Sequence, residues 1–206
     1  MECETSDGER HPAIHRRPDH HSLRRIVSNP QHARRGGYTL IELVATVSVA
    51  AILTAIAIPT FRYVTNSARV STEINALLGD LEFARMEAVK EGSTVSVCAS
   101  LDGKTCSQST DWSKGWIVWS DVNANQTVDA GEPMRSAQAA LRSGDSMANG
   151  PVKALSFNRD GFVTRLANTV QFTLHDATGN SVWTRCLSLS RLGKMTTTTY
   201  TAGSCY

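Results

Sequence analysis

An uninterrupted apolar stretch, YTLIELVATVSVAAILTAIAI, fills residues 38 to 58 and runs into Pro59, with Glu42 as its one charge. As a helix it would be about 31 Å long at ~1.5 Å per residue, the thickness of the hydrocarbon core of a bilayer. Cations stand before it, at Arg34 and Arg35. By the positive-inside rule that end stays cytoplasmic, and everything after Pro59 lies across the membrane as a single-pass protein. A secretory signal has a shorter apolar core and a small-residue cleavage site. A plain anchor has no use for a carboxylate that costs roughly 2 to 3 kcal/mol in hydrocarbon. Glu42 therefore implies a partner inside the membrane.

From Thr60 to Glu91 the pattern becomes amphipathic. Val70, Ile74, Leu77, Leu78, Leu81, Ala84, Ala88 and Val89 recur at steps of three and four among charged residues, and Gly92 supplies a stop. This spacing predicts one helix continuing from the apolar run, kinked near Pro59, whose second half lies on a globular head. After Gly92 come short runs rich in Val, Thr, Ser and Trp: residues 94–99, 115–120, 154–157, 161–164, 170–175, 182–190 and 195–200. Turn-forming clusters such as Asp102-Gly103, Asn158-Arg159-Asp160-Gly161 and Leu192-Gly193-Lys194 separate them, so an antiparallel β head is expected, with a mobile loop at 139–151. The chain divides into a leader (1–37), a membrane helix (38–59), an amphipathic helix (60–92) and a β head (93–206).

Charge is distributed unevenly. Lys plus Arg is 21 and Asp plus Glu is 19, but residues 1 to 37 hold seven of the cations, five of the acids and five of the six histidines. They show no apolar periodicity from which a core could form. The remaining 169 residues carry 14 basic and 14 acidic groups, a formal net charge of zero. A broad electrostatic face for nucleic acid is thereby excluded, and any DNA contact has to be local.

Gly37-Tyr38-Thr39-Leu40-Ile41-Glu42, the apolar helix and Pro59 resemble the class III signal of type IV pilins and type II secretion pseudopilins. The resemblance implies that a prepilin peptidase cuts after Gly37 and methylates the new N-terminus at Tyr38. It also implies that Glu42 and Pro59 serve assembly and helix geometry. Tyr38 stands where Phe is usual, and a 37-residue leader is long, which reads either as a cytoplasmic extension or as a start placed too far upstream. CASLDGKTC, DWSKGWIVWSDVNANQTVDAGE, LSFNRDGF and LSLSRLGK in the head resemble the GspH/FimT family of minor pilins and pseudopilins. The fold so implied is α+β, with a long helix packed on an antiparallel β-sandwich. The implied setting is the bacterial inner membrane, with the head in the periplasm, and then the tip of a pilus or pseudopilus. The partners would be other pilins or pseudopilins, and at the tip DNA or secreted proteins.

Four cysteines follow the leader. They allow three pairings, of which Cys98 with Cys106 and Cys186 with Cys205 is favoured because each pair brackets one turn-containing segment. Zinc is disfavoured, since no CxxC spacing exists and His175 is the lone histidine after the leader. Asp121, Asn123, Asn125, Asp129 and Glu132 have the spacing of a calcium loop. It is a weak candidate, because Gln126 stands where the sharp turn needs Gly and strands flank it in place of helices. No cofactor is otherwise expected. Nothing matches HExxH, GxSxG or a phosphate-binding glycine loop, so no enzyme is expected. Trp112, Trp116, Trp119 and Trp183 read as core more readily than as a ligand platform. Three functions compete: a filament subunit, a DNA receptor in transformation, and a secretion pseudopilin. The DNA-binding minor pilins of the family carry a basic G-R-x-R motif. Gly193-Lys194-Met195-Thr196 keeps one of its two cations, with Arg185 and Arg191 as nearby supplements.

Overall fold

A computed structural model describes residues 37–142, 144–201 and 205. The expected leader, up to residue 36, lies outside the described residues. The first element is a helix, α1 (Leu40–Glu91), of 52 residues with Pro59 inside it. Pro59 has no N–H to give to the carbonyl four residues back. The hydroxyl of the next residue, Thr60, bonds the Ile56 carbonyl at 3.2 Å. Thr39 opens the helix: its carbonyl accepts the N–H groups of Glu42 and Leu43 at 3.1 Å, and its hydroxyl lies 3.3 Å from the Glu42 N–H. Gly92 closes the helix in the left-handed conformation, at φ 66°, which costs glycine no steric penalty.

Among the described residues nine strands follow: β1 (Val95–Ala99), β2 (Trp116–Ser120), β3 (Met134–Gln138), β4 (Ser146–Ala148), β5 (Ala154–Phe157), β6 (Val163–Thr164), β7 (Val170–His175), β8 (Arg185–Leu189) and β9 (Met195–Thr199). They form two antiparallel sheets, one of five strands in the order β3-β2-β1-β5-β6 and one of four in the order β4-β7-β8-β9. Val70, Ile74, Leu77, Leu81, Ala84 and Ala88 of α1 join a core drawn from both sheets, including Val97, Trp116, Val118, Phe157, Phe172, Leu174 and Leu187. The spacing of the helical residues is that of one helical face, so the stripe legible in sequence is the face that is buried. The α+β expectation of a long helix packed on antiparallel sheets is met.

Strand β2 is buried at every position. Trp116 and Val118 face the core beneath the helix, while Ile117 and Trp119 pack with Cys98 on the opposite face. That second face is covered by Cys106, Val128 and Ala154. Two strands escaped the sequence reading. β3 is an edge strand with largely exposed residues, and β4 lies inside the segment expected to be a loop, where Met147 alone points inward. The run expected to begin a strand at residue 182 does so at Arg185. Asn180 holds the preceding residues in a turn, its side chain accepting from Val182 N–H and its carbonyl from Trp183 N–H and the Thr184 hydroxyl.

Candidate functional site

The helix has two different halves. Every residue from Leu40 to Thr65 is exposed, and within this half an 18-residue segment with a mean hydropathy of 2.3 has the length and composition to cross a membrane. Tyr38 is 85 % exposed just ahead of it. Glu42 stands in the first turn, three residues after Thr39, the arrangement of a capping box. A carboxylate there also meets the positive end of the helix dipole. The motif residues Gly37, Tyr38 and Glu42 therefore lie at an open, capped helix end.

The other half is bolted to the head by polar contacts on successive turns. Arg185, at the start of β8, donates to Ser67 Oγ at 3.0 Å and Ser71 Oγ at 3.3 Å. Arg69 pairs with Asp145 and approaches Glu73 at 4.0 Å. Asp80 accepts from the Trp116 indole at 2.8 Å and from Ser136 Oγ at 3.0 Å. Arg85 donates to the Gly193 carbonyl at 3.0 Å, and Glu91 pairs with Arg135 at 2.5 Å while accepting from Ser120 Oγ at 2.8 Å. Burial pushes the Glu73 carboxyl up to about 7, helped by its hydrogen bond to Asp145 and by the Asp145 charge, against the Arg142 N–H and the Arg69 cation.

The 121–132 segment is a self-closed loop. Asp121 is fully buried and accepts from Ser96 Oγ at 2.6 Å and from the N–H groups of Asn125 and Gln126 at 2.9 and 3.0 Å. Asp129 accepts from the side-chain amides of Asn123 and Asn125 at 2.7 and 2.8 Å, and Glu132 accepts from the N–H groups of Val122 and Asp129. All three carboxylates thus have donors from the chain itself. Among the described residues no group of three or more His, Cys, Asp and Glu is placed to hold a metal ion. What the loop does in the fold is cover β2, through Val128.

Both favoured disulfides are formed, Cys98–Cys106 and Cys186–Cys205, each with Cα atoms 5.7 Å apart. The first closes a loop in which Asp102 accepts from the N–H groups of Thr105 and Lys104, and those bonds hold its carboxyl well below the usual range. The second ties the C-terminal segment back over the four-stranded sheet, where Gln171 donates to the Cys205 carbonyl at 2.9 Å.

The three cations considered for DNA do not form one cluster. Arg191 and Lys194 are exposed on the β8–β9 turn. Arg185 is at the far end of β8, about 13 Å of strand from Leu189 at ~3.3 Å per residue and further still from the turn, with its guanidinium committed to the helix. Arg191 instead shares a groove of about 800 Å³ with Asn158, Phe162, Arg165 and Leu192. Arg165 belongs to a different strand connection, and nothing in the sequence signalled its approach. The turn itself depends on Gly193, at φ 75°: a Cβ there would stand 2.5 Å from the Gly161 carbonyl oxygen.

Residues 73–193 match the family model of type II transport protein GspH, and residues 32–58 match that of the prokaryotic N-terminal methylation motif. Comparison with curated proteins gives no match. Among solved structures, the type IV minor pilin FimU of Pseudomonas aeruginosa is similar at 23 % identity and a TM-score of 0.48, over 62 % of this chain and 84 % of that one. A second crystal form of FimU gives 22 % and 0.43, over 63 % and 90 %. The minor pseudopilin EpsH from the type 2 secretion system of Vibrio cholerae gives 11 % and 0.46, over 64 % and 97 %. The match to the family model runs from the buried half of α1 to the β8–β9 turn, more than half of the sequence, and the chain belongs to the GspH family.

Proposed function

We propose that this chain is a minor subunit of a type IV pilus or a type II secretion pseudopilus, where it helps to start or cap the filament. The observation that supports this most directly is the division of α1 into an exposed apolar half and a half buried in the head. A filament subunit needs both: one half to sit in the membrane and then among neighbouring helices, the other to hold the head rigidly. In this reading the prepilin peptidase removes the residues up to Gly37 and methylates Tyr38. The head waits on the periplasmic side of the inner membrane, and Glu42 meets the methylated amine of an adjacent subunit. The role is structural and not catalytic. His175, the one histidine beyond the leader, bonds the buried Thr184 hydroxyl at 3.0 Å, which is a strand-end contact.

The test is Glu42→Val. The apolar run only lengthens, so the variant should insert and be cut, with intact mass showing loss of residues 1–37, while its amount in sheared filaments falls several-fold. Undiminished incorporation removes the role given to Glu42. Retention of the leader in the native chain removes the pilin-type processing. A DNA-receptor role finds a narrower footing in the exposed pair Arg191 and Lys194.

A further inference from the structure

The connection between β7 and β8 is fastened to α1 close to the end of the apolar run. Arg185 grips Ser67 and Ser71, and the rings of Trp183 and Tyr63 lie 6.1 Å apart, tilted by 57°. Asp176 stiffens the base of the connection, accepting from Thr178 Oγ1 at 2.7 Å and from the Asn180 N–H at 3.1 Å. At this level the surface is apolar and open: Phe61 is 70 % exposed, Val64 57 %, Val182 54 % and Tyr63 51 %. Arg62 is exposed among them.

Their height along the helix says what should cover them. Residues 61 to 64 lie about 5 to 9 Å beyond Ile58 at ~1.5 Å per residue. The polar layer on each side of a bilayer is about 5 to 8 Å deep, so a span ending at residue 58 or 59 places this turn in the headgroups. Tyr concentrates at that depth because an apolar ring and a polar tip are both satisfied there, and an Arg beside it can meet anionic phosphate, while the half-buried Trp183 offers only a ring edge behind Tyr63, its indole N–H being buried.

We infer that Phe61, Arg62, Tyr63 and Val64, together with Val182 and Trp183, form a lipid seat that holds the head on the glycerophospholipid headgroup layer while α1 spans the membrane. The occupant is the bilayer interface, because the patch continues directly from the membrane span and carries a cation among aromatic and aliphatic side chains. The inference rests on reading residues 38–59 as that span.

The tryptophans make the seat measurable. Trp112, Trp116 and Trp119 have no solvent exposure, so Trp183 is the one indole near enough to the surface to meet lipid. The full chain is reconstituted into vesicles of phosphatidylethanolamine and phosphatidylglycerol carrying phospholipid brominated either near the headgroup end or near the tip of the acyl chain. Headgroup-end bromine should quench about a quarter of the emission, the share of one indole in four, and tip bromine much less. Trp183→Phe should abolish the quenching, and Val182→Asp should at least halve it while leaving the emission of the buried indoles unchanged. Quenching that persists in Trp183→Phe, or none at all in a chain that floats with the vesicles, overturns the seat and leaves the patch to contacts between subunits. A chain that does not float with the vesicles overturns the spanning reading, and the seat with it.

Discussion

Arg69 of α1 pairs with Asp145, which lies just before β4 and whose side chain has no solvent exposure. The pair pins a loop of the four-stranded sheet to the helix across 76 residues of sequence, and Asp145 is further held by the Ala177 N–H at 3.0 Å. Glu73 is drawn into the same site and has to share one cation.

That sharing fixes a pH dependence. The Glu73 carboxyl sits near 7 when folded, against an ordinary value of 4.5, so between those limits the folded chain keeps a proton that the unfolded chain has released. This contribution to stability is full below about 4.5, shrinks as pH rises through the window, and is gone above about 7. Glu73→Gln keeps the neutral form at every pH. It should melt higher than the native chain at pH 8, by the equivalent of about 1 to 2 kcal/mol once partial solvent screening is allowed for, and should flatten the profile between pH 5 and 8. A Gln variant that is less stable at pH 8 contradicts the assignment.

The two disulfides should differ in worth. Loop closure predicts about 3.3 kcal/mol for Cys186–Cys205 and about 2.6 kcal/mol for the shorter Cys98–Cys106 loop. Denaturant titration of Cys186→Ser with Cys205→Ser, against Cys98→Ser with Cys106→Ser, should therefore show the larger loss in the C-terminal pair. The reverse order would indicate that the cover over Ile117 and Trp119, not chain entropy, dominates the first bridge.

Calcium should do little. The carboxylates of Asp121, Asp129 and Glu132 are already engaged by donors of the chain, and a cation would have to displace them. Thermal melts in millimolar calcium and in chelator are expected to coincide within about 1 °C. A rise of several degrees would show that the loop reorganises around the ion.

DNA contact should be slight and salt-sensitive. With Arg185 committed to the helix, Arg191 and Lys194 can neutralise about two phosphates, for a log-log salt slope near 2. Duplex should shift only at low salt and without sequence preference, and Arg191→Ala with Lys194→Ala should abolish the shift. If the shift survives that change, Arg165 in the neighbouring groove is the residue to replace next.

What could be read in advance follows from which interactions are local. The helix, its stop at Gly92 and seven of the strands announce themselves through periodicity and turn residues, and both disulfides through the turns they enclose. β3 and β4 do not, because an exposed edge strand has no apolar alternation and β4 buries a single side chain, Met147. The Arg69, Glu73 and Asp145 site joins residues distant in sequence, so no spacing encodes it. Arg185 misleads for the opposite reason: it is close in sequence to the β8–β9 turn, yet an extended strand carries it to the other end of the sheet.

The helix and head are joined by a row of fasteners, from Ser67 to Glu91, spread over about 36 Å at ~1.5 Å per residue. A load applied along the helix axis meets them side by side, in shear, so tension divides among Ser67, Arg69, Asp80, Arg85 and Glu91 instead of prising them open one after another. Pulled from its N-terminal end in a force spectrometer, the helix should leave the head in one abrupt rupture. Arg185→Ala should lower the rupture force without breaking the event into steps. A helix so fastened can be pulled by its N-terminal end without parting from the head.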